Sequence, residues 1–164
     1  MALVVLGESR AWETVVKMLS EGKLQQVRDL ENRTFFDPAL VSRLAGRERL
    51  VQLATDASGT AQQQTARRRI AASALSEMAT PEVFDTLTQL SRDADVEVGT
   101  LAAIGLGRTG DNRSAQPVLA FLNAHPDARD RVLNALAQNS GSPGLSVIGQ
   151  NATDIVTRKM AVRL

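Results

Sequence analysis

The stretch Val98-Gly-Thr-Leu-Ala-Ala-Ile-Gly-Leu-Gly-Arg-Thr-Gly110 is compatible with two different folds. Its last three glycines spell G-x-G-x-x-G, which in dinucleotide-binding folds forms the phosphate-binding turn between a strand and a helix. Its apolar and small residues instead recur at i, i+3, i+4, i+7 and i+8, the spacing of one helix face. The residues on that face are Val98, Leu101, Ala102, Gly105 and Leu106.

The residues after this stretch favour the helical interpretation. The same spacing returns at Ala115, Val118, Leu119 and Leu122, so residues 98–123 are predicted to form a helical hairpin. A dinucleotide site would place Pro117 inside its phosphate-binding helix, where proline is poorly tolerated. We therefore interpret Gly105 as a close-packing position, Gly107 as near the helix end and Gly110 as a turn residue.

The hairpin is one copy of an internal repeat. Small residues precede leucines that lie 31 and 30 residues apart, and similar intervals reach further leucines in both directions: Leu6, Leu44, Leu75, Leu106, Leu136 and Leu164. A period of about 30 residues is typical of stacked helix pairs. The predicted fold class is all-α, a right-handed α-α superhelix (solenoid). One domain over 1–164 would hold roughly five helix pairs, with incomplete terminal repeats and an irregular insertion near 31–36.

Aspartates precede the predicted first helices of several repeats. A carboxylate at a helix N-terminus accepts hydrogen bonds from free amides and complements the helix dipole. We expect this role for four residues: Asp93, Asp95, Asp127 and Asp154.

Three segments carry a recognisable signature. Val98–Gly107 resembles the V-R-x-x-A-A-x-A-L-G pattern of HEAT-like repeats of the phycobilisome-lyase type, and so do Arg68–Leu75 and Arg129–Leu136. The resemblance covers residues 62–164 well, 1–19 moderately and 20–60 poorly. It implies an α-solenoid in which the signature arginine joins a polar ladder between repeats.

The signature arginine is present in only some repeats. Arg68 and Arg129 match it, whereas Gly99 and Thr157 stand at the equivalent positions of the other two repeats. The resemblance therefore implies an interrupted ladder, with Gly99 as a soft point in the stack.

Composition excludes several classes of function. The net charge is +1, which creates no global field for nucleic acid or an anionic membrane. There is no cysteine, so disulfides and thiolate chemistry are excluded. No apolar run approaches the roughly 18 residues that span a membrane, and the apolar start is too short for a signal peptide. We expect a cytoplasmic protein.

The chain offers little for catalysis. His125 is its only histidine and lies in a predicted loop, without a second histidine or cysteine to complete a metal or nucleophile site. Arg67, Arg68 and Arg69 fan over about 200 degrees of a helix, so they cannot form one phosphate-binding stripe. We expect Arg67 and Arg69 to be solvated or paired with nearby acids, such as those between Glu77 and Glu97. The prediction is a non-enzyme without cofactor or metal.

The second helices of a solenoid usually line its concave surface and bind partners. With positions 83, 84, 87 and 90 facing inward, a polar strip faces outward and would suit a peptide or protein better than phosphate. We predict partner-binding residues at Asp85, Thr86, Gln89, Gln116 and Asn123.

The leading functional hypothesis is a non-catalytic protein-interaction scaffold or adaptor. The alternatives are an accessory subunit resembling bilin-lyase-type HEAT proteins, which would bind a tetrapyrrole, and a DNA-binding protein resembling HEAT-like alkylpurine glycosylases. The incomplete terminal repeats suggest a piece of a longer array, or open ends that bind something, including each other. Trp12, Val15, Val16 and Leu19 are expected to form a core face at the first repeat.

Overall fold

The computed structural model of the chain describes Lys17 and residues 38–138 and 143–163. Within the two long ranges the chain forms eight α-helices and no strand. They are α1 (Pro38–Thr55), α2 (Ala61–Met78), α3 (Phe84–Leu90), α4 (Val96–Arg108), α5 (Ala115–Ala124), α6 (Arg129–Ala137), α7 (Pro143–Asn151) and α8 (Ile155–Arg163). The predictions for Leu6, Leu164, the face around Trp12 and the insertion near 31–36 lie outside the described residues.

The helices stack as pairs. The first helices α2, α4 and α6 are each followed by a second helix, α3, α5 and α7, and α4 packs against both α2 and α6. Helix α8 occupies the next first-helix position and packs on α6 and α7, while α1 packs on α2. The prediction of an all-α solenoid is confirmed, and residues 98–123 form the expected hairpin.

The focal glycines are structural, and the dinucleotide interpretation is wrong. Gly105 and Gly107 are buried inside α4, which ends at Arg108, and Gly110 has a φ of +64° in the following turn. A Cβ atom on Gly105 would lie 2.8 Å from Cα of Ser76, so only glycine allows α2 and α4 to approach this closely. The predicted close-packing, helix-end and turn roles are confirmed.

The repeat leucines form the seam of the core. Leu75, Leu106 and Leu136 are all completely buried, and the cluster that contains them runs from Val41 to Ala152. Full burial of one such side chain contributes roughly 1.5–3 kcal/mol to folding. The core is therefore continuous from one helix pair to the next.

The predicted caps are only partly correct. The carboxylate of Asp95 accepts a hydrogen bond from the N–H of Val98 at 3.0 Å, and Asp154 accepts one from Thr157 at 2.7 Å. Asp127 does not cap α6, because the 3₁₀ turn Pro126–Ala128 places Ala128 at the N-cap position instead.

Candidate interaction surface

The predicted polar strip lies on the outside of the second helices α3 and α5. Asp85, Gln89, Gln116 and Asn123 are exposed, and Thr86 is half-buried. The inward set on the same helices is buried, as the 3.6-residue period requires: Val83, Phe84, Leu87 and Leu90 on the α3 side. The outward placement of the strip agrees with its helical spacing, and its role in binding stays a prediction.

A groove of about 610 Å³ runs between α3 and α5, and of the five strip residues only Gln116 lines it. Its α5 wall carries small or apolar groups at Pro117, Ala120 and Ala124, together with Gln116 from the predicted strip. Ala120 and Ala124 are exposed, and their short side chains leave the space that forms the groove. The volume is within the usual range of ligand pockets, about 300–1,000 Å³.

One end of the groove combines an aromatic ring with a cation. The guanidinium carbon of Arg113 lies 4.5 Å from the centre of the Phe84 ring, a cation–π contact. Arg113 also pairs with Asp111, with 2.7 Å between Nη2 and Oδ2, and this pairing lowers the pKa of the Asp111 carboxyl. Arg113 is thus oriented by two neighbours.

The other end of the groove carries a second arginine and two more rings. The rings of Phe121 and His125 are tilted against each other, with 4.8 Å between their centres. Arg92 is exposed and has no acidic partner among the described residues. Next to it, Asp93 accepts hydrogen bonds from Arg68 Nε at 2.5 Å and from the backbone of Asp95 at 2.9 Å.

The Phe121 ring is held against the backbone of α4. A Cβ atom on Gly99 would lie 2.5 Å from Cε2 of Phe121, and only 4% of Phe121 is exposed. Gly99, which the resemblance marked as a soft point, is buried beneath this ring. The missing arginine side chain therefore leaves no gap in the stack.

The signature ladder is interrupted at Gly99, as the resemblance implied. Arg68 pairs with Asp93, and Arg129 approaches Asp154 with 4.0 Å between Nη2 and Oδ1; each acid follows its arginine by 25 residues. In the repeat between them, the corresponding positions are Gly99 and Ala124. Both members of the ion pair are absent together from the central repeat, beside the groove.

A second row of ion pairs connects the first helices. Arg69 on α2 binds Asp95 at the start of α4 through two hydrogen bonds of 2.9 and 2.6 Å. Glu97, also on α4, accepts a 2.6 Å hydrogen bond from Arg131 on α6. These arginines lower the pKa of Asp95 and of Glu97. The sequence predicted an acidic partner for Arg69 but not the pairing of Glu97 with Arg131, because both of these residues lie two positions away from the signature position.

The basic run in the middle of α2 is fully paired. Arg68 and Arg69 bind Asp93 and Asp95, whereas Arg67 binds Asp56, with 2.8 Å between Nη1 and Oδ2. Arg67 and Arg69 are therefore paired with nearby acids, as expected, and only the partner of Arg69 lies between Glu77 and Glu97. The loop before α2 supplies the acid for Arg67.

The groove itself was not predicted from the sequence. The sequence predicts Phe84 in the core and His125 in a loop. His125 does follow α5 in the turn before α6, but its ring also lines the groove, as Phe84 does. The signal that could have revealed the groove is the paired loss at Gly99 and Ala124. Among the described residues, no group of three His, Asp or Glu side chains could hold a metal ion.

Comparison with known proteins identifies the repeat. A family model described as HEAT repeats matches residues 47–139, which is more than half of the chain. The match is to HEAT repeats in general and does not test the phycobilisome-lyase type. No curated protein sequence and no solved structure matches the chain. In the part of the chain that the structure describes, no helix combines the length and apolarity needed to cross a membrane.

Proposed function

Since this chain belongs to the HEAT-repeat family, we propose that it is a non-catalytic scaffold that binds another protein through the surface formed by α3 and α5. HEAT repeats generally serve as protein-interaction scaffolds, because stacking their helix pairs creates an extended surface. The strip residues Asp85, Thr86, Gln89, Gln116 and Asn123 would contact the partner.

One observation carries the proposal. Exposed polar side chains lie on two consecutive second helices, and the groove between these helices has walls that include aromatic and small apolar residues. Protein interfaces commonly combine a few buried aromatic anchors with a polar rim. The first-helix surface differs, because its charged side chains are engaged in ion pairs between repeats.

Co-purification from the native host tests this proposal. We compare the wild-type chain with a strip variant, Gln89→Arg with Asn123→Arg, and with a control variant, Asn134→Arg with Gln138→Arg on the α6 side; all four side chains are exposed. A partner that is lost only from the strip variant supports the proposal. Equal capture by both variants, or no partner with the wild type, contradicts it.

The two alternatives make different demands on the same surface. A subunit that binds a tetrapyrrole would need several aromatic side chains in an apolar groove, and this groove contains two phenylalanines. Titration of the protein with a bilin, followed by absorbance, tests this alternative. A DNA-binding solenoid would need a strongly basic face, whereas Arg67, Arg68 and Arg69 are each paired with an acid. A salt-dependent DNA shift assay tests that alternative.

Self-association is a further expectation. Helix α8 exposes three apolar side chains, Ile155, Val156 and Val162. Exposed apolar patches are common at protein contacts. A size measurement over a range of protein concentrations tests this expectation, and a strictly monomeric chain at high concentration would reject it.

A further inference from the structure

We propose that the groove between α3 and α5 binds an extended segment of a partner protein that presents apolar side chains and a carboxylate, and that the carboxylate pairs with Arg92. This inference rests on the proposed scaffold function and adds the binding site and the chemistry of the ligand.

The groove is located where the central repeat departs from its neighbours. Arg68 with Asp93 and Arg129 with Asp154 occupy equivalent places in the flanking repeats. An aspartate at position 124 would place a carboxylate in this region, whereas position 99 is covered by the Phe121 ring. With Ala124 in place of that aspartate, the surface has room for an outside ligand.

The aromatic side chains of the groove are preorganised. Phe121 cannot move inward, because its ring already contacts the backbone of α4 at Gly99. Phe84 is 9% exposed and lies beneath the guanidinium of Arg113. A ligand therefore meets rings that are already fixed, which reduces the entropy lost on binding.

The charged side chains that line the groove include one cation without an ion pair. Asp93 binds Arg68, and Arg113 binds Asp111. Arg92, the other arginine in the lining, has no acidic partner among the described residues. A carboxylate that is complementary to this guanidinium would form a charge-assisted hydrogen bond at the edge of an apolar site.

The length of the groove fits a short peptide. The wall formed by α5 and the turns at its two ends extends from Arg113 to His125, about 18 Å at the rise of a helix. An extended chain rises about 3.3 Å per residue, so about five residues span the groove.

Selection from a phage-displayed library of random seven-residue peptides tests the inference. The library is selected on the wild-type chain, and the enriched peptides are synthesised with a fluorescent label for anisotropy titration. We expect enrichment of peptides that combine apolar residues with aspartate or glutamate. Replacing that acid by its amide should weaken binding at least tenfold.

Two variants locate the binding site. Ala120→Trp fills the groove from an exposed position, and Arg92→Glu reverses the free charge; each should weaken binding at least tenfold, whereas the α6 control Asn134→Trp should not. A peptide with lysine in place of its acid should recover binding to Arg92→Glu. If Ala120→Trp fails to give the wild-type circular dichroism spectrum, Ala124→Trp, also exposed and in the groove, replaces it.

The outcomes separate this inference from the proposed function. Absence of enriched peptides, enrichment without carboxylates, or unchanged binding to the groove-filling variant overturns the inference. So does a groove-filling variant whose only effect is to abolish self-association, since the occupant is then a second copy. If the strip variant still loses its native partner in any of these cases, the scaffold function survives and only the acidic-peptide site is rejected.

Discussion

The ring of Phe121 on α5 lies against the backbone of Gly99 on α4, so that a Cβ atom on Gly99 would be 2.5 Å from Cε2 of the ring. This contact replaces the arginine–aspartate pair that connects the neighbouring repeats. It also fixes one aromatic wall of the groove. Glycine at position 99 therefore affects both the stability of the stack and the shape of its surface.

Gly99→Ala should destabilise the protein although alanine favours helices. The gain in helix propensity is about 1 kcal/mol, whereas forcing a methyl group against a packed ring costs typically about 1–3 kcal/mol. In the Phe121→Leu variant the new methyl group meets a smaller side chain, so Gly99→Ala should there be neutral or stabilising. Urea unfolding followed by circular dichroism measures this double-mutant cycle. A coupling free energy near zero would show that ring and backbone are not in contact.

Gly105→Ala should lower the free energy of unfolding more than Gly99→Ala does. The new Cβ of Gly105→Ala would meet a backbone atom, which cannot move aside as a side chain can. The new Cβ would lie 2.8 Å from both Cα and Cβ of Ser76, so α2 and α4 would have to separate. Ser76→Gly removes only the Cβ contact and should not rescue the variant. The comparison of unfolding free energies in urea checks this, and rescue by Ser76→Gly would contradict the backbone contact.

The sequence was sufficient to predict the helices and their stacking. Leu75, Leu106 and Leu136 repeat at near-constant intervals, and all three are fully buried. Each helix pair must bury a leucine at the same place in the stack, so the spacing of the leucines in the sequence follows the spacing of the repeats. The roles of Gly105 and Gly110 also followed from position alone. Local pattern and global fold agree in this part of the molecule.

The groove and the second ion-pair row could not be predicted in the same way. They depend on which side chains of successive repeats meet in space, and Arg69 reaches Asp95 across 26 residues of sequence. Asp127 shows the limit of local signals, because Pro126 starts a 3₁₀ turn that ends one residue after the acid. A cap requires the correct position to within one residue.

The row from Arg69 through Asp95 and Glu97 to Arg131 should make stability depend on acid pH. Its arginines hold the pKa of Asp95 below the ordinary 3.8 and that of Glu97 below 4.5. Because the folded pKa values are the lower ones, the stabilisation is complete above the unfolded values and is lost as pH falls through the folded values. The loss should begin below about pH 5.

Asp95→Asn with Glu97→Gln tests this dependence. Asparagine still caps α4, so the double variant loses charge but not the cap. These pairs are largely exposed, and we expect a deficit of only about 1 kcal/mol at neutral pH. The deficit should shrink toward zero at about pH 3 and at high salt. A deficit that is the same in urea unfolding at both pH values would mean that the ion pairs do not contribute.

Ala79→Gly should stabilise the protein, because Ala79 ends α2 in the left-handed region with a φ of 45°. Its N–H still bonds the carbonyl of Leu75 at 3.2 Å, which is the arrangement that glycine usually adopts after a helix. This conformation costs a residue with a Cβ about 1–2 kcal/mol. Part of the gain from Ala79→Gly is offset, because glycine has greater conformational freedom in the unfolded chain. We expect a net gain of about 0.5–1 kcal/mol.

Ala66→Gly in the interior of α2 is the matched control and should lose about 1 kcal/mol, since it makes the same chemical change in a helical conformation. Thermal and urea unfolding of the two variants should therefore move in opposite directions. If Ala79→Gly is destabilising, the left-handed end of α2 is not populated in solution. The chain would then have to leave α2 by another route to reach the 3₁₀ turn Pro81–Val83 and position Phe84 in the groove wall.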